Sequence, residues 1–511
     1  MTNYNKGIIK QIEELTVEND RLKAENRLLR AENRSLRAEN SRLLERIGIL
    51  EATLEERIRK AVEEAVARAT APLLAIIAEK DAEILRLKSQ LAKDSSNSSK
   101  PPSSNGFKKV PNNRERSGKK RGGQKGHKGV RLNIPENLEE LAAAGVVEHV
   151  IFTDVADGEP YVSDWTIDIK IVTVFTERRR KPGPPPKIAY GPQLMTVAVY
   201  LSIIGLIAFK RLSQFFREIS RGLIIVSKAA LAGFIRKAAD GTNLGQYIHD
   251  LLNGKVVNTD ETPIKTSERP GPDGILETAE KSTFNAYIRT YSNETTTVLT
   301  ASPRKTEESV IEDNILTQFH GIVAQDHELK LYNFGGSNAT CGAHLTRDLK
   351  GMSDLQMLEW AETVRRFFLD MNKHKNEDVL GGITACEPVL LRQFEDRFDE
   401  LLRLGRTQLG NMPTKSFGFD ELRRMVNRLE NYKDNYLLFM RDYDAPFTNN
   451  LAERDLRHCK TKQKVSGCFR SWQGVLDYCK IRSLLSTAQK RGENLFDALS
   501  RVLLQRLPAG Q

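Results

Sequence analysis

Lys255–Lys265 reads KVVNTDETPIK, a β-rich run that carries Asp260. Two more alternating runs follow across turn residues, STFNAYIRTYS at 282–292 and ETTTVLTAS at 294–302, and together the three predict an antiparallel meander. A helix is expected from about Thr306 to Phe319. After it the short apolar run GIVAQD at 321–326 reads as a strand that adds parallel to the first. That pairing places Asp260 and Asp326 at the ends of adjacent strands. Beyond GGSNATCGAHLTRDLKG at 335–351 the chain turns helical and irregular until Phe447, and TNNLAERDLRHCKTK at 448–462 opens a further helix that bears Glu453.

Two acids on strands and one on a helix suit phosphodiester cleavage and transfer with two divalent cations. Hard Mg2+ or Mn2+ prefers oxygen ligands, and one aspartate can bridge metals about 3.5–4 Å apart. Plainer readings exist for each acid. Asp260 fits a strand-end turn and Asp326 a strand terminus. Glu453 stands three residues after Asn450, as in a capping box, and four before Arg457, as in a helical ion pair.

The chain has 511 residues, of which 28% are charged and 39% hydrophobic, too apolar for a disordered protein and too charged for a membrane protein. The longest apolar stretch, Leu194–Phe209, is shorter than a membrane span and reads as a buried helix. Five cysteines, with no C-x-x-C pair and no recognisable secretory signal, point to reduced thiols in a cytosol and give no reason to expect zinc. The formal charge is +11, and Lys100–Arg131 holds eleven basic residues against Glu115 alone, so one segment carries nearly the whole excess.

Leucine recurs every seventh residue at Leu15, Leu22, Leu29, Leu36, Leu43 and Leu50, and Ile12, Asn19, Asn26, Asn33, Asn40, Ile47 and Leu54 fall at the matching a positions. Four asparagine layers favour a parallel, in-register homodimer, with Glu18, Glu25 and Glu32 reaching Lys23, Arg30 and Arg37 of the second copy. The pattern weakens after Leu54, and Pro72 is expected to interrupt the helix. From Asp94 to Arg131 the composition predicts a disordered linker suited to sequence-independent phosphate contact, through Lys108, Lys109, Lys119, Lys120, Arg121, Lys125, Lys128 and Arg131. A second basic, Pro-rich run, Arg178–Lys187, marks another boundary. FKRLSQFFREI, then SKAALAGFIRKAA with Ser227 as N-cap, resembles a helix-turn-helix, although plain helical packing accounts for it equally simply.

Taken together, the zipper, the linker KDSSNSSKPPSS with GGQKGHKG, YGPQLMTVAVYL, the DET strand, CGAHLTRDL and NNLAERDLR resemble the DDE transposases of the insertion sequence 66 family along nearly the whole chain. The resemblance implies an α/β ribonuclease H-like catalytic domain at 251–490 with a helical insertion at about 352–447. It assigns Asp260, Asp326 and Glu453 as catalytic and metal-holding, with two divalent cations (Mg2+ or Mn2+). His344, Arg347, Asn449, Asn450, Arg454 and Arg457 fall at matching positions, where the arginines, with Lys460, Lys462 and Lys464, suit phosphate positioning. Cys341 and Cys459 read as packing residues. The remaining divisions are a coiled coil at 1–92, the disordered basic linker at 93–134, a helical DNA-binding region at 188–250 and a helical tail at 491–511. Family members commonly carry a cysteine-bearing zinc domain where this chain has 135–187; no cysteine occurs there, so a metal-free remnant is expected, with EHVIFTDV and KIVTVFTERR as strands. The expected partners are double-stranded DNA, at transposon ends and target, a second copy of the chain in a homodimer or higher homo-oligomer, and accessory transposition proteins, with no membrane. The expected location is a bacterial cytoplasm. A zipper-dimerised repressor and a nuclease of another kind are the competing functions.

Overall fold

The computed structural model describes residues 2–94, 97, 134–151, 188–280, 282–356 and 358–504, with scattered positions between 159 and 177. The linker residues Lys108, Lys109, Lys119, Lys120, Arg121, Lys125, Lys128 and Arg131 lie outside the described residues. The chain divides into two units, Met1–Leu91 and Ala92–Gln511.

In the first unit a single helix, α1, runs Thr2–Ala92. The leucines of the seven-residue repeat line it and are 47–69% exposed. The helix continues through Pro72, contrary to expectation. From Ile47 onward the apolar spacing changes to eleven, as in Ile47, Ile58 and Ala69, in Val62, Leu73 and Ile84, and in Leu54, Ala65, Ile76 and Leu87. Eleven residues per three turns keeps one stripe on one side of a nearly straight helix. Proline's φ suits a helix, and the loss of one hydrogen bond is offset by strong helix formers on both sides.

The second unit begins with α2 (Leu138–Ala143). Residues 148–151 and 172–177, which fall in the two expected strands of the 135–187 region, form no strand. Val150, Ile151, Val172, Val174 and Phe175 are more than half exposed, so the apolar side chains of these runs gain little burial that would favour a strand. Four helices follow, α3 (Pro192–Ile203), α4 (Phe209–Ile219), α5 (Lys228–Gly241) and α6 (Leu244–Leu252). The Ser227 hydroxyl accepts from Ala230 N and caps α5, as its position predicts. No helix among the described residues is long and apolar enough to cross a membrane.

Next come β1 (Val256–Thr266), the small hairpin β2 (Glu268–Pro270) and β3 (Leu276–Thr278), then β4 (Phe284–Ser292), β5 (Thr297–Ser302), α7 (Glu307–Asp313), β6 (Ile322–Gln325) and β7 (Ser337–Thr340). The main sheet has the order β5-β4-β1-β6-β7, with β1, β4 and β5 antiparallel and β6 and β7 parallel to β1. The meander and the parallel addition are as read from the sequence. β7 and the β2–β3 hairpin were not. α7 stops six residues early because Asn314 turns left-handed at φ 52° and ends it.

After β7 come α8 (Gly342–Gln356), α9 (Glu359–Leu380), α10 (Pro388–Asn411), α11 (Phe419–Asn431) and α12 (Lys433–Arg441). The chain then returns through α13 (Asn450–Ser466), α14 (Trp472–Lys490) and α15 (Leu495–Leu504). One core joins α3–α5 and α13–α15 to Ile264, Ala286, Ile288 and Leu299 of the sheet. Val257, Tyr291, Val298 and Val323 on the other face pack with Leu251, Val310 and Phe319. Side chains cover both sheet edges: Ser483 and Thr487 of α14 accept from Leu299 N and Thr297 N, and the Asn435 amide donates to Asn338 O of β7. Edge strands so covered offer no free ladder to another chain.

Candidate active site

The parallel register pairs Asn258 of β1 with Ala324 of β6. Two residues on from that pair stand Asp260, within β1, and Asp326, the first residue past β6, so both fall at the same level of the sheet. β1 runs on to Thr266, so Asp260 sits where its parallel pairing ends, not at the strand's end. β4 supplies the continuation, with Thr290 opposite Asp260.

Asn449, fully buried just before α13, brings the third acid in. Its amide nitrogen donates to Thr259 O at 2.8 Å, its amide oxygen accepts from Asn258 Nδ2 at 3.1 Å, and its backbone N–H donates to Cys341 Sγ at 3.3 Å. Neither plainer account of Glu453 holds among the described residues: its side chain neither caps the helix nor pairs with Arg457.

Glu453 Oε1 and Asp326 Oδ1 are both buried without a hydrogen-bond partner, 3.7 Å and 3.4 Å from His344 Nδ1. His344 Nδ1 itself makes no well-formed hydrogen bond. Burial opposes charge on this imidazole, but Asp326 and then Cys341 outweigh it and raise it to about 11. Burial, and next the negative charge of Asp326, push the Asp260 carboxyl up to about 7, while the Glu261 N–H donating to Oδ1 at 2.7 Å and Lys460 pull it down. Three carboxylates in one buried space, two of them with an oxygen left unpaired on Asp326 and Glu453, are unfavourable as they stand and fit a divalent cation of the hard class.

On the opposite face of β1, Glu261 pairs in register with Arg289 of β4 in a short ion pair, both side chains almost fully buried. Arg289 also contacts Glu328 at 3.4 Å, and Lys305 and Lys330 reach Glu328 at 3.2 and 3.1 Å. Glu328 N donates to Gln325 Oε1 at 2.6 Å, so the cluster grips the loop carrying Asp326. An arginine amid the apolar residues of FNAYIRTYS was the sequence signal for it, and it was not read.

Arg454, Arg457, Lys460 and Lys464 are exposed on α13, Asn450 is exposed at its first turn, and Arg347 is half-buried on α8. Lys462 departs from them: its ammonium lies 5.5 Å over the Phe469 ring and 5.4 Å over Tyr478, engaged in packing. Cys459 is buried in the core, as expected.

Residues 187–476, more than half of the chain, match the family described as Transposase IS66 family. The chain is a member of the IS66 transposase family. Every residue of the candidate site described above falls within the matched range. Residues 5–133 match a family of unknown function (DUF6444). A relative, the uncharacterized protein y4jO of Sinorhizobium fredii, is 27% identical over 163 residues, which is 31% of this chain and 45% of that protein.

Asp260 yields a pH signature. The ordinary aspartate value is about 3.9, so between there and about 7 the native transposase holds a proton that the unfolded chain lacks. The stability this contributes is present at low pH and lost as pH rises through the native value. In buffer free of divalent metal, Asp260→Asn should melt near wild type at about pH 5 and progressively above it toward about pH 8. Parallel melting curves for the two proteins would contradict the assignment. Asn449→Ala strands the Asn258 amide and the Thr259 carbonyl in the core, so chemical denaturation should show a loss of roughly 2–4 kcal/mol.

Proposed function

We propose that this transposase is of the DDE type, hydrolysing a phosphodiester at each end of an insertion sequence and transferring the freed 3′ end into target DNA. The observation that carries the reading is the convergence of Asp260, Asp326 and Glu453 on one buried space, where Asp326 and Glu453 each keep an unpaired oxygen and burial, together with both acids, raises the Asp260 carboxyl. The sheet order, three antiparallel strands followed by two parallel ones, supports a ribonuclease H-like domain at 251–490 interrupted by the helices at about 352–447.

Two Mg2+ or Mn2+ ions held by Asp260, Asp326 and Glu453 would supply Lewis-acid activation of the attacking oxygen and charge stabilisation of the departing one. The protein's own contribution is positioning. β1 and β6 set two carboxylates level, Asn449 sets the third, and the Glu261–Arg289–Glu328 cluster fixes the loop between β6 and β7. His344 stands within reach of a scissile phosphate beside Asp326 and Glu453. Arg347, Asn450, Arg454, Arg457 and Lys460 present donors to backbone phosphates from α8 and α13.

The exposed leucine stripe of α1, with asparagine at four successive a layers, supports a parallel coiled-coil dimer through 1–92. The linker at 93–134 supplies sequence-independent affinity for DNA, and the helices within 188–250 supply a second contact. The 135–187 region stands as a cysteine-free remnant of a zinc domain, whereas α15, within the expected C-terminal tail, belongs to the core with α3 and α14.

Asp260→Asn, Asp326→Asn and Glu453→Gln keep shape and lose charge. Each should lower Mg2+-dependent nicking of DNA carrying the element's ends by at least about two orders of magnitude while folding and DNA binding persist. A folded Glu453→Gln protein that cleaves at the wild-type rate would remove Glu453 from the set and turn attention to Asp442 and Asp444. If the wild type binds the ends and never nicks them, a zipper-dimerised repressor replaces the enzyme reading. Deleting 100–131 should flatten the fall of log affinity with log salt; an unchanged slope would make the segment a spacer.

A further inference from the structure

The proposed hard-cation centre uses oxygen ligands alone, yet its wall carries a softer donor set. Asp326, Cys341 and His344 each offer one ligand atom, and these atoms lie within 4.8 Å of one another. Cys341 closes β7 and His344 stands on the first turn of α8, three residues on, which brings both side chains to one side of the helix start. That start is held rigidly. Cys341 N donates to Gln325 O at 2.8 Å, beside Asp326, and Gly342 N donates to Phe447 O at 2.7 Å. A Cβ on Gly342 would meet the Phe447 ring at 2.2 Å, so only glycine permits this approach. The Cys341 sulfur already accepts from Asn449 N.

We propose that Asp326, Cys341 and His344 bind one borderline-soft divalent cation, zinc before others, at a site that shares Asp326 with the strand-cleavage centre. Carboxylate oxygen, thiolate sulfur and imidazole nitrogen are zinc's three protein donors, and three of them with an open fourth position form a familiar coordination set. Donors about 2.0–2.3 Å from a tetrahedral ion stand roughly 3.3–3.8 Å apart. His344 Nδ1 and Asp326 Oδ1 are already 3.4 Å apart, both buried and without a hydrogen-bond partner. Closing the widest separation takes about 1 Å of side-chain movement. Glu453 Oε1, 3.7 Å from the same nitrogen and likewise orphaned, is placed to fill the fourth position. Magnesium gains nothing from sulfur or imidazole and prefers oxygen and water. The two ions therefore compete for Asp326, and zinc holds the enzyme off. The binding site stands on geometry alone, whereas the inhibition rests on the transposase reading.

Cobalt is the probe, because a thiolate bound to Co2+ gives a charge-transfer band in the near ultraviolet. The full-length, metal-free protein titrated with Co2+ should develop that band, and added zinc should displace it. Cys341→Ser should abolish it with the circular-dichroism melt retained, and His344→Gln should weaken cobalt binding roughly a hundredfold. Absence of the band in wild type, or its survival in Cys341→Ser through the other cysteines, overturns the site. If Cys341→Ser fails to fold, His344→Gln decides: weakened binding supports the site and unchanged affinity overturns it. Zinc should also inhibit Mg2+-dependent nicking. Nicking without the cobalt band removes the soft-cation site and leaves the transposase reading intact, while the band without nicking does the reverse.

Discussion

A single buried amide, that of Asn449, holds the candidate site together. It joins two parts of the chain about 190 residues apart, with donor and acceptor both engaged on β1 next to Asp260. A buried amide that is fully satisfied in one arrangement is costly in any other, since each orphaned group would keep its desolvation penalty. Closing so long a loop costs entropy that grows only slowly with length, so a long helical insertion is tolerated provided the ends are pinned. The same residue donates its backbone N–H to Cys341, which ties α13 to the start of α8 as well. Glu453, Asp260 and His344 owe their meeting to this junction.

The arrangement it creates is electrostatically unfavourable when alone. Burial and mutual repulsion push Asp260 up, and His344 takes positive charge between Asp326 and Glu453. A buried acid cluster that leaves oxygens of Asp326 and Glu453 unpaired suits a cation. The other face of β1 shows the opposite solution: Glu261 there is met by Arg289, Lys305 and Lys330. Adjacent acids in one strand thus have contrary fates. Pleating alone sends Asp260 toward Asp326 and Glu453 and sends Glu261 toward Arg289, Lys305 and Lys330.

Much of this was legible along the chain. The three antiparallel strands, the parallel strand ending before Asp326, the Ser227 cap and the exposed leucine stripe all follow from local periodicity or capping chemistry. β7 was not legible, because SNAT is short and polar and becomes a strand only through its pairing with β6. The described residues near Val150 and Val174 differ the other way: β propensity is a preference for a half-buried pleated surface, and these side chains are more than half exposed. Pro72 misled for a related reason: a local breaking signal was overridden by the apolar repeat on either side.

The sequence by itself determined which residue types are available for chemistry, and the helices and strands whose periodicity or caps are set by neighbours within a few positions. It named Asp260, Asp326 and Glu453, yet left Glu453 equally suited to a capping box and Cys341 to simple packing. Only the tertiary structure shows what stands against them, Glu453 Oε1 without a hydrogen-bond partner and Cys341 Sγ accepting from Asn449 N, because other elements bring those neighbours. Lys462, one of a run of basic residues on α13, is held over two aromatic rings while its neighbours face solvent. Nothing in the spacing of that run separates it from them; the packing of α13 against Phe469 and Tyr478 does.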